Sequence, residues 1–281
     1  MKLNTLTQKI RINTLLAIYY AKSGHPGGSL SCVDILASLF FNEMKLEFSD
    51  DKRLLKDRFI LSKGHAVPAL YATAVELGLI NFKELIGFRK INHPLQGHPN
   101  RNSTPWVEAS TGSLGQGFSF AIGEALGFKH IKSDSRVYVI TGDGELQEGE
   151  IWEGAMYAGH NKLNNLCAII DYNKLQSDDL NSNIVTLEPL ADKWKAFNWN
   201  VIEIDGHNFK EIEEAFNKAR SVTKQPTVII ANTIKGKGVS FMEGSPLWHG
   251  SVFLSDKDIE NSLLELDCNL NVIKKYIDER K

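Results

Sequence analysis

No sign of charge dominates this chain: 32 Lys and Arg stand against 34 Asp and Glu, a net charge of −2. That balance gives no electrostatic case for nucleic acid or an anionic membrane as partner. Cysteine is scarce, with 3 residues in 281. Cys32, Cys167 and Cys268 share no paired spacing, so neither a disulfide framework nor a zinc site is expected. Their apolar neighbours predict buried free thiols in a reducing compartment. No apolar run is long enough to cross a bilayer. Lys2, Lys9 and Arg11 before Leu15-Leu16-Ala17-Ile18 imitate a signal peptide, but no small-residue cleavage site comes after them. Leu6, Ile10, Leu15, Ile18 and Tyr19 instead share one helical face, and the expectation is an amphipathic first helix on a cytoplasmic protein. There is no internal repeat and no low-complexity segment. What remains is the composition of a globular protein, 42% hydrophobic and 23% charged, with length for one or two domains.

The most informative stretch runs from Arg136 to Ser177. Val137-Tyr138-Val139-Ile140-Thr141 is β-branched and apolar, and Gly142-Asp143-Gly144 stops it. Ile151, Trp152, Ala155, Met156 and Ala158 then recur at helical spacing, and Leu166 to Ile170 is a second buried run ending at Asp171-Tyr172-Asn173. Strand, acidic turn, helix and strand make one βαβ unit. A hairpin at Asp-Gly is disfavoured because the residues beyond the turn have helical periodicity. Asp143 and Asn173 thereby fall at the carboxyl ends of neighbouring parallel strands, where open α/β sheets place ligands. Two oxygen side chains and nearby carbonyls suit a hard cation such as Mg²⁺, which prefers oxygen ligands and usually shares a phosphate.

Along the rest of the chain, strands keep alternating with helices. The first helix reaches about Lys22, and His25-Pro26-Gly27-Gly28 reads as a non-helical loop, with Ser31 capping the next helix. Asp50 to Asp57 reads as a charged surface segment. A strand at 58–62 ends in Lys63-Gly64-His65, and a helix continues to Leu77. Asn81 and Glu84 form a helix-start pair. Ile91 to Ser110 is a long irregular loop, and loops of that length are usually functional or disordered. Thr111-Gly112-Ser113-Leu114-Gly115-Gln116-Gly117 opens a helix whose N-terminal N–H groups could face an anion or polar ring. After a polar loop at 176–188 come a helix at 189–197, a strand at 199–204, a helix capped by Asn208, and a strand at 226–231. The tail from Asp256 to Leu266 is amphipathic, then polar to Lys281. The fold class is α/β, a mainly parallel sheet with helices on both faces.

Of eight histidines, His25, His65, His98 and His249 sit beside glycine in loops. One loop histidine is more often structural than functional. Four of them favour a shared polar cleft, where imidazoles donate to phosphate, polarise a carbonyl or move a proton. His93 and His130 read as surface or loop residues and His160 as packing or hydrogen-bonding; His207 follows a strand end that could bring it near the site, but reads first as a local helix cap.

These motifs, in this order, resemble the transketolases: Ser23-Gly24-His25-Pro26-Gly27-Gly28, Leu61-Ser62-Lys63-Gly64-His65-Ala66, Gly97-His98-Pro99, Thr111 to Gly117, Gly142-Asp143-Gly144-Glu145-Leu146-Gln147-Glu148-Gly149 and Asp171-Tyr172-Asn173-Lys174. Gly-Asp-Gly with Asp-Tyr-Asn-Lys after it also resembles the thiamine diphosphate motif. The resemblance spans about residues 5–250 and implies a single diphosphate-binding domain over 1–281, with 251–281 as a tail. A single-chain transketolase is more than twice as long. The resemblance therefore implies the N-terminal subunit of a split enzyme, with the pyrimidine-binding and C-terminal domains on a partner chain in an α₂β₂ assembly.

The same resemblance assigns roles. Asp143, Asn173 and the Leu175 carbonyl would bind Mg²⁺, at a site Ca²⁺ or Mn²⁺ could also fill. His65, Gly112, Ser113, Leu114, Gly144, Asn173 and His249 would contact thiamine diphosphate. His25, His98 and His249 would face the sugar and help proton transfer. Glu148 matches a buried family carboxylate linking two active sites. The implied reaction carries a two-carbon unit from a ketose phosphate to an aldose phosphate through a thiamine diphosphate carbanion, with pentose phosphates as the default. The alternatives are the alpha subunit of a 2-oxo acid dehydrogenase and a non-catalytic, partner-binding chain. A nicotinamide-binding domain fits less well, because the turn is Gly-Asp-Gly-Glu rather than Gly-x-Gly-x-x-Gly.

Overall fold

Alternation along the strands decides the architecture. The computed structural model describes residues 2–47, 56–177, 179–250 and 252–268. Helix α1 is Leu3–Ala21, α2 Pro26–Ser31, α3 Val33–Ser38, β1 Arg58–Leu61, α4 Val67–Glu76, α5 Phe82–Leu85 and α6 Gln116–His130. Then come β2 Val137–Gly142, α7 Gly149–His160, β3 Leu166–Tyr172, β4 Leu175–Gln176, β5 Asp179–Leu180, α8 Asn181–Ile184 and α9 Leu190–Ala196. The chain closes with β6 Asn200–Asp205, α10 Phe209–Ser221, β7 Thr227–Asn232 and α11 Asp256–Glu265. Five strands form one parallel sheet in the order β1-β2-β3-β7-β6. Tyr138, Ile140, Cys167, Ile169 and Ile229 face one side, against residues of α1, α3, α4 and α10. Val137, Val139, Ala168, Ile170, Val228 and Ile230 face the other, against α6, α7 and α9. Successive side chains of a strand point to opposite faces, so two apolar layers arise from one run of residues.

The central unit is as the sequence predicts, with β2 and β3 parallel and α7 between them. On α7, Ile151, Ala155 and Ala158 are buried, but Met156 faces out. Asn81 and Glu84 form a capping box, and the Asn208 side chain accepts from the N–H groups of Lys210 and Glu211.

Several expectations are corrected. His25-Pro26-Gly27-Gly28 is not all loop, since α2 starts at Pro26. Proline suits the first helical position because its missing N–H has no helical partner there. The glycines are required by packing: a Cβ on Gly27 would lie 2.8 Å from the Trp248 carbonyl oxygen, and one on Gly28 3.2 Å from His65 Nε2. Ser31 therefore ends α2 instead of capping α3, and its hydroxyl donates to Asp171. Asp57 is buried, accepting from the Lys45 and Arg136 N–H groups, and is not part of a surface segment. The rest of that segment, 50–55, and the polar end 269–281 lie outside the described residues, apart from Lys56, which pairs with Glu47 at the surface. The loop at 176–188 contains the small β4–β5 ladder and α8. Cys32 and Cys167 are buried, whereas Cys268 is only half-buried. His160 is exposed at the end of α7. The tail folds back on this same domain: Ile259 and Leu263 of α11 pack with Leu15, Leu16 and Ile18 of α1. Among the described residues no helix is long and apolar enough to cross a membrane.

Candidate active site

The carboxyl ends of β1, β2, β3 and β7 open onto one cavity of about 300 Å³. Asp143 leaves β2 and Asn173 leaves β3, and both line it with His65, Leu114, Gly144, Leu175 and His249. Asp143 is only 2% exposed. Its Oδ1 accepts from the Gly144 N–H at 2.8 Å and its Oδ2 from the Lys174 N–H at 2.5 Å. Asn173 Oδ1 accepts from the Leu175 N–H at 3.2 Å. A carboxylate offers about four lone-pair positions, so Asp143 keeps acceptor capacity toward the cavity.

Beneath Asp143 lies a second acid. Asp171 is fully buried and ion-paired with Lys63, and it also accepts from Ser31 and Thr233. Burial alone would push its carboxyl up, but the Lys63 ammonium outweighs this and holds it below the usual range. Asp143 has no such ion pair among the described residues. Burial first, and then the Asp171 charge, push it up to about 6. A cation bound there would supply the missing positive charge.

Four segments distant in sequence bring their histidines together. Ring centroids of His25 lie 5.3 Å from His65, 6.4 Å from His98 and 5.9 Å from His249, and His65 lies 5.3 Å from His249. Burial, then the Arg89 charge, lower His25 to about 4. Burial, then Lys235, lower His249 to about 3. His65 is well below its ordinary value for the same leading reason. All three are neutral near pH 7, so each ring offers one donor and one acceptor without adding charge.

Two lysines to which the sequence analysis gives no role also line the cavity. Lys63 and Lys235 are buried. Lys235 Nζ lies 3.0 Å from the Leu175 carbonyl oxygen and 2.8 Å from His249 Nδ1, and burial lowers it to about 8. A lysine beside glycine at a strand end was the available signal.

Some expected residues are placed differently. Gly112 packs against His98, where an added Cβ would lie 3.2 Å from the ring, and Ser113 is exposed. Glu148 lines the cavity but is exposed in this chain, not buried. The buried carboxylate of that turn is Glu145, which accepts from Ser62 and from the N–H groups of Gly115 and Gly142. The glycine-rich start of α6 thus already meets an anion, the chain's own Glu145.

Among the described residues no cluster of three His, Cys, Asp or Glu side chains could hold a metal. Asp143, Asn173 and Leu175 line the same cavity and carry hard oxygen donors with one formal charge between them, and the Leu175 carbonyl here accepts from Lys235 Nζ. Donors of that kind suit a divalent ion completed by phosphate oxygens, and Lys235, which has no carboxylate ion pair among the described residues, is the lysine suited to a polyanion.

Comparison with known proteins agrees with this fold. Residues 3–270 match the family model described as transketolase, thiamine diphosphate binding domain. The chain is 38% identical over 278 residues to one of the subunits of the apulose-4-phosphate transketolase of Phocaeicola vulgatus, covering 98% of each. It is 45% identical over 240 residues to a subunit of the 6-deoxy-6-sulfo-D-fructose transketolase of a Clostridium species, covering 85% of this chain and 87% of that one. The solved transketolase of Leishmania mexicana superposes with a TM-score of 0.88 at 30% identity, covering 96% of this chain and 42% of that one.

Proposed function

The chain belongs to the transketolase family through its thiamine diphosphate binding domain, and from that premise we propose that it is the diphosphate-holding subunit of a two-chain transketolase. The observation that carries this reading is the convergence of His25, His65, His98 and His249 beside the Asp143–Asn173 cavity. The family match also sets aside the 2-oxo acid dehydrogenase alternative.

In this reading Asp143, Asn173 and the Leu175 carbonyl would hold Mg²⁺, for which Ca²⁺ or Mn²⁺ could substitute, and a bound cation would supply positive charge for the cofactor's diphosphate. Lys235, His65 and Gly144 complete the anion's surroundings. When bound, thiamine diphosphate supplies an electron sink for the two-carbon unit. The chain's own contribution is positioning and proton handling. His25, His98 and His249, neutral at working pH, orient the sugar by hydrogen bonds and carry protons between its oxygens and solvent. Glu148, exposed in this chain, would link the two active sites of the assembly. That partner brings the pyrimidine-binding domain, in an α₂β₂ assembly working in the cytoplasm. The substrates are a ketose phosphate donor and an aldose phosphate acceptor, with the pentose phosphates as the default pair.

The test is Asp143→Ala. Asp143 is the one formal charge on the cation's protein shell, so its loss leaves the diphosphate less compensated. Calorimetric titration with thiamine diphosphate, with and without Mg²⁺, should show Mg²⁺-dependent binding to the wild type and none to the variant. Equal affinity in both would overturn the metal assignment.

A further inference from the structure

The Asp205-Gly206-His207 turn at the end of β6 reaches the cavity through an intermediary. Lys235 enters the cavity from the turn at 234–238 after β7, which lies outside any helix or strand and has left-handed glycines, with φ of 81° at Gly236 and 96° at Gly238. Lysine has a long flexible stem, so the place of its charge depends on how firmly its backbone is held.

Two side chains from elsewhere in the fold take hold of that turn, and a third links them. Arg11 of α1 donates from Nε to the Lys237 carbonyl at 3.0 Å. The same guanidinium donates to both carboxylate oxygens of Asp34 on α3, at 3.1 and 2.6 Å. Asp34 Oδ2 lies 2.7 Å from His207 Nδ1, and His207 Nε2 accepts from the Ile234 N–H at 2.9 Å. An acceptor at Nε2 requires the proton on Nδ1, and Asp34 is the acceptor that keeps it there, so one tautomer satisfies both bonds. Arg11 and His207 therefore grip the two sides of Lys235, at 237 and 234, and Asp34 joins them.

We propose that Arg11, Asp34 and His207 act as a positioning clamp that fixes the Lys235 turn for the cofactor's diphosphate. The inference rests on reading the cavity as the diphosphate site. The three residues act through Lys235 and are not catalytic. The arrangement resembles the outer partners of metal ligands, which set the orientation of the group that does the binding.

The informative variant is His207→Ala. It leaves the Arg11–Asp34 pair intact, whereas removing Asp34 would strand a buried guanidinium and endanger the fold. Hydrogen exchange of the full chain without ligand should show the amides of 234–238 opening about tenfold faster, as for one lost hydrogen bond. The strands of the sheet should keep their protection. Calorimetry with Mg²⁺ and thiamine diphosphate should show affinity weakened by about 10- to 100-fold, the range seen when such outer partners are lost. His207→Gln keeps a donor and an acceptor and should recover part of both effects; it also carries the test if the alanine variant does not fold. Unchanged exchange at 234–238 would overturn the clamp. Faster exchange with unchanged cofactor affinity would overturn its positioning role. A wild-type chain that binds no cofactor would instead defeat the reading of the cavity, and the exchange measurement would still decide whether the clamp holds the turn.

Discussion

Asp143 and Asp171 show how one sheet edge treats two carboxylates in opposite ways. Asp171 is ion-paired with Lys63 and stays charged, while Asp143 faces the cavity unpaired and is raised to about 6. The histidines are set in the same manner: burial and the Arg89 guanidinium make a charged His25 unfavourable. An NMR titration of the His25 ring should therefore find its midpoint near pH 4, well under the ordinary histidine value. A midpoint near 6.5, the unperturbed value, would mean that the cleft is wetter and less cationic than its geometry implies. In the two-chain enzyme, His25→Ala should lower kcat by roughly 10²–10⁴, the range for a group that handles a proton or polarises a carbonyl. Wild-type turnover in that variant would return His25 to a structural role. The sequence exposed these imidazoles because glycine flanked each one. It hid Lys63, Lys235 and Glu145, since charged residues near turns ordinarily face water and only tertiary packing enclosed these three.

At the scale of elements, periodicity located most helices and strands, and the places where it failed have identifiable causes. The buried β2 and β3 runs and the capping residues Asn81 and Asn208 are local signals, and they held. Helix α2 was missed because Pro-Gly-Gly disfavours a helix locally, while contacts to Trp248, Lys235 and His65 require those small residues. Glycines inside helices divide by the same logic. Gly123 of α6 has no atom within 4 Å of an added Cβ, whereas at Gly159 of α7 that atom would lie 1.8 Å from the Phe197 carbonyl oxygen. Gly123→Ala should stabilise the isolated chain by about 0.5–1 kcal/mol, and Gly159→Ala should destabilise it by about 1–3 kcal/mol. Urea melts of the two variants would separate these signs, and a stable Gly159→Ala would show that α7 can shift. Helix α6 also carries Glu124, which burial first and Glu108 next raise to about 7. The folded state thus binds this proton more tightly than the unfolded one. The associated stability is complete below the unfolded value near 4.5 and is lost as pH rises through about 7. Glu124→Gln should accordingly raise Tm at pH 8 and leave it nearly unchanged at pH 4.5; an equal gain at both would exclude titration as the cause.

For the whole molecule, the decisive property is one open cavity at the carboxyl edge of the sheet. Its lining brings Asp143, Asn173 and Leu175 together with Lys63, Lys235, His65 and His249. Beyond His249 the mouth widens into a second open space bordered by Leu247, which is 83% exposed, and Phe253 nearby in sequence is also exposed. Large apolar side chains beside a polar cleft are suited to a covering surface. A cofactor gripped only by its diphosphate keeps its ring end free, and misplacement of the reacting atoms by about 1 Å can cost roughly 10²-fold in rate. Affinity should be weak as well, because much of the ligand stays in water. The folded state itself needs no partner for its core, since both faces of the sheet are covered and α11 packs on α1 within this chain. The chain alone should therefore be folded, with a cooperative thermal transition, and inactive in two-carbon transfer from a ketose phosphate to an aldose phosphate with Mg²⁺ and thiamine diphosphate. Adding a chain that carries the pyrimidine-binding domain should restore turnover and tighten cofactor binding together, because both depend on closing the same mouth. The pair should elute as an α₂β₂ complex. Full activity from the isolated chain would sink the two-chain reading, and tightened binding without turnover would show that covering the ring is not enough to align it.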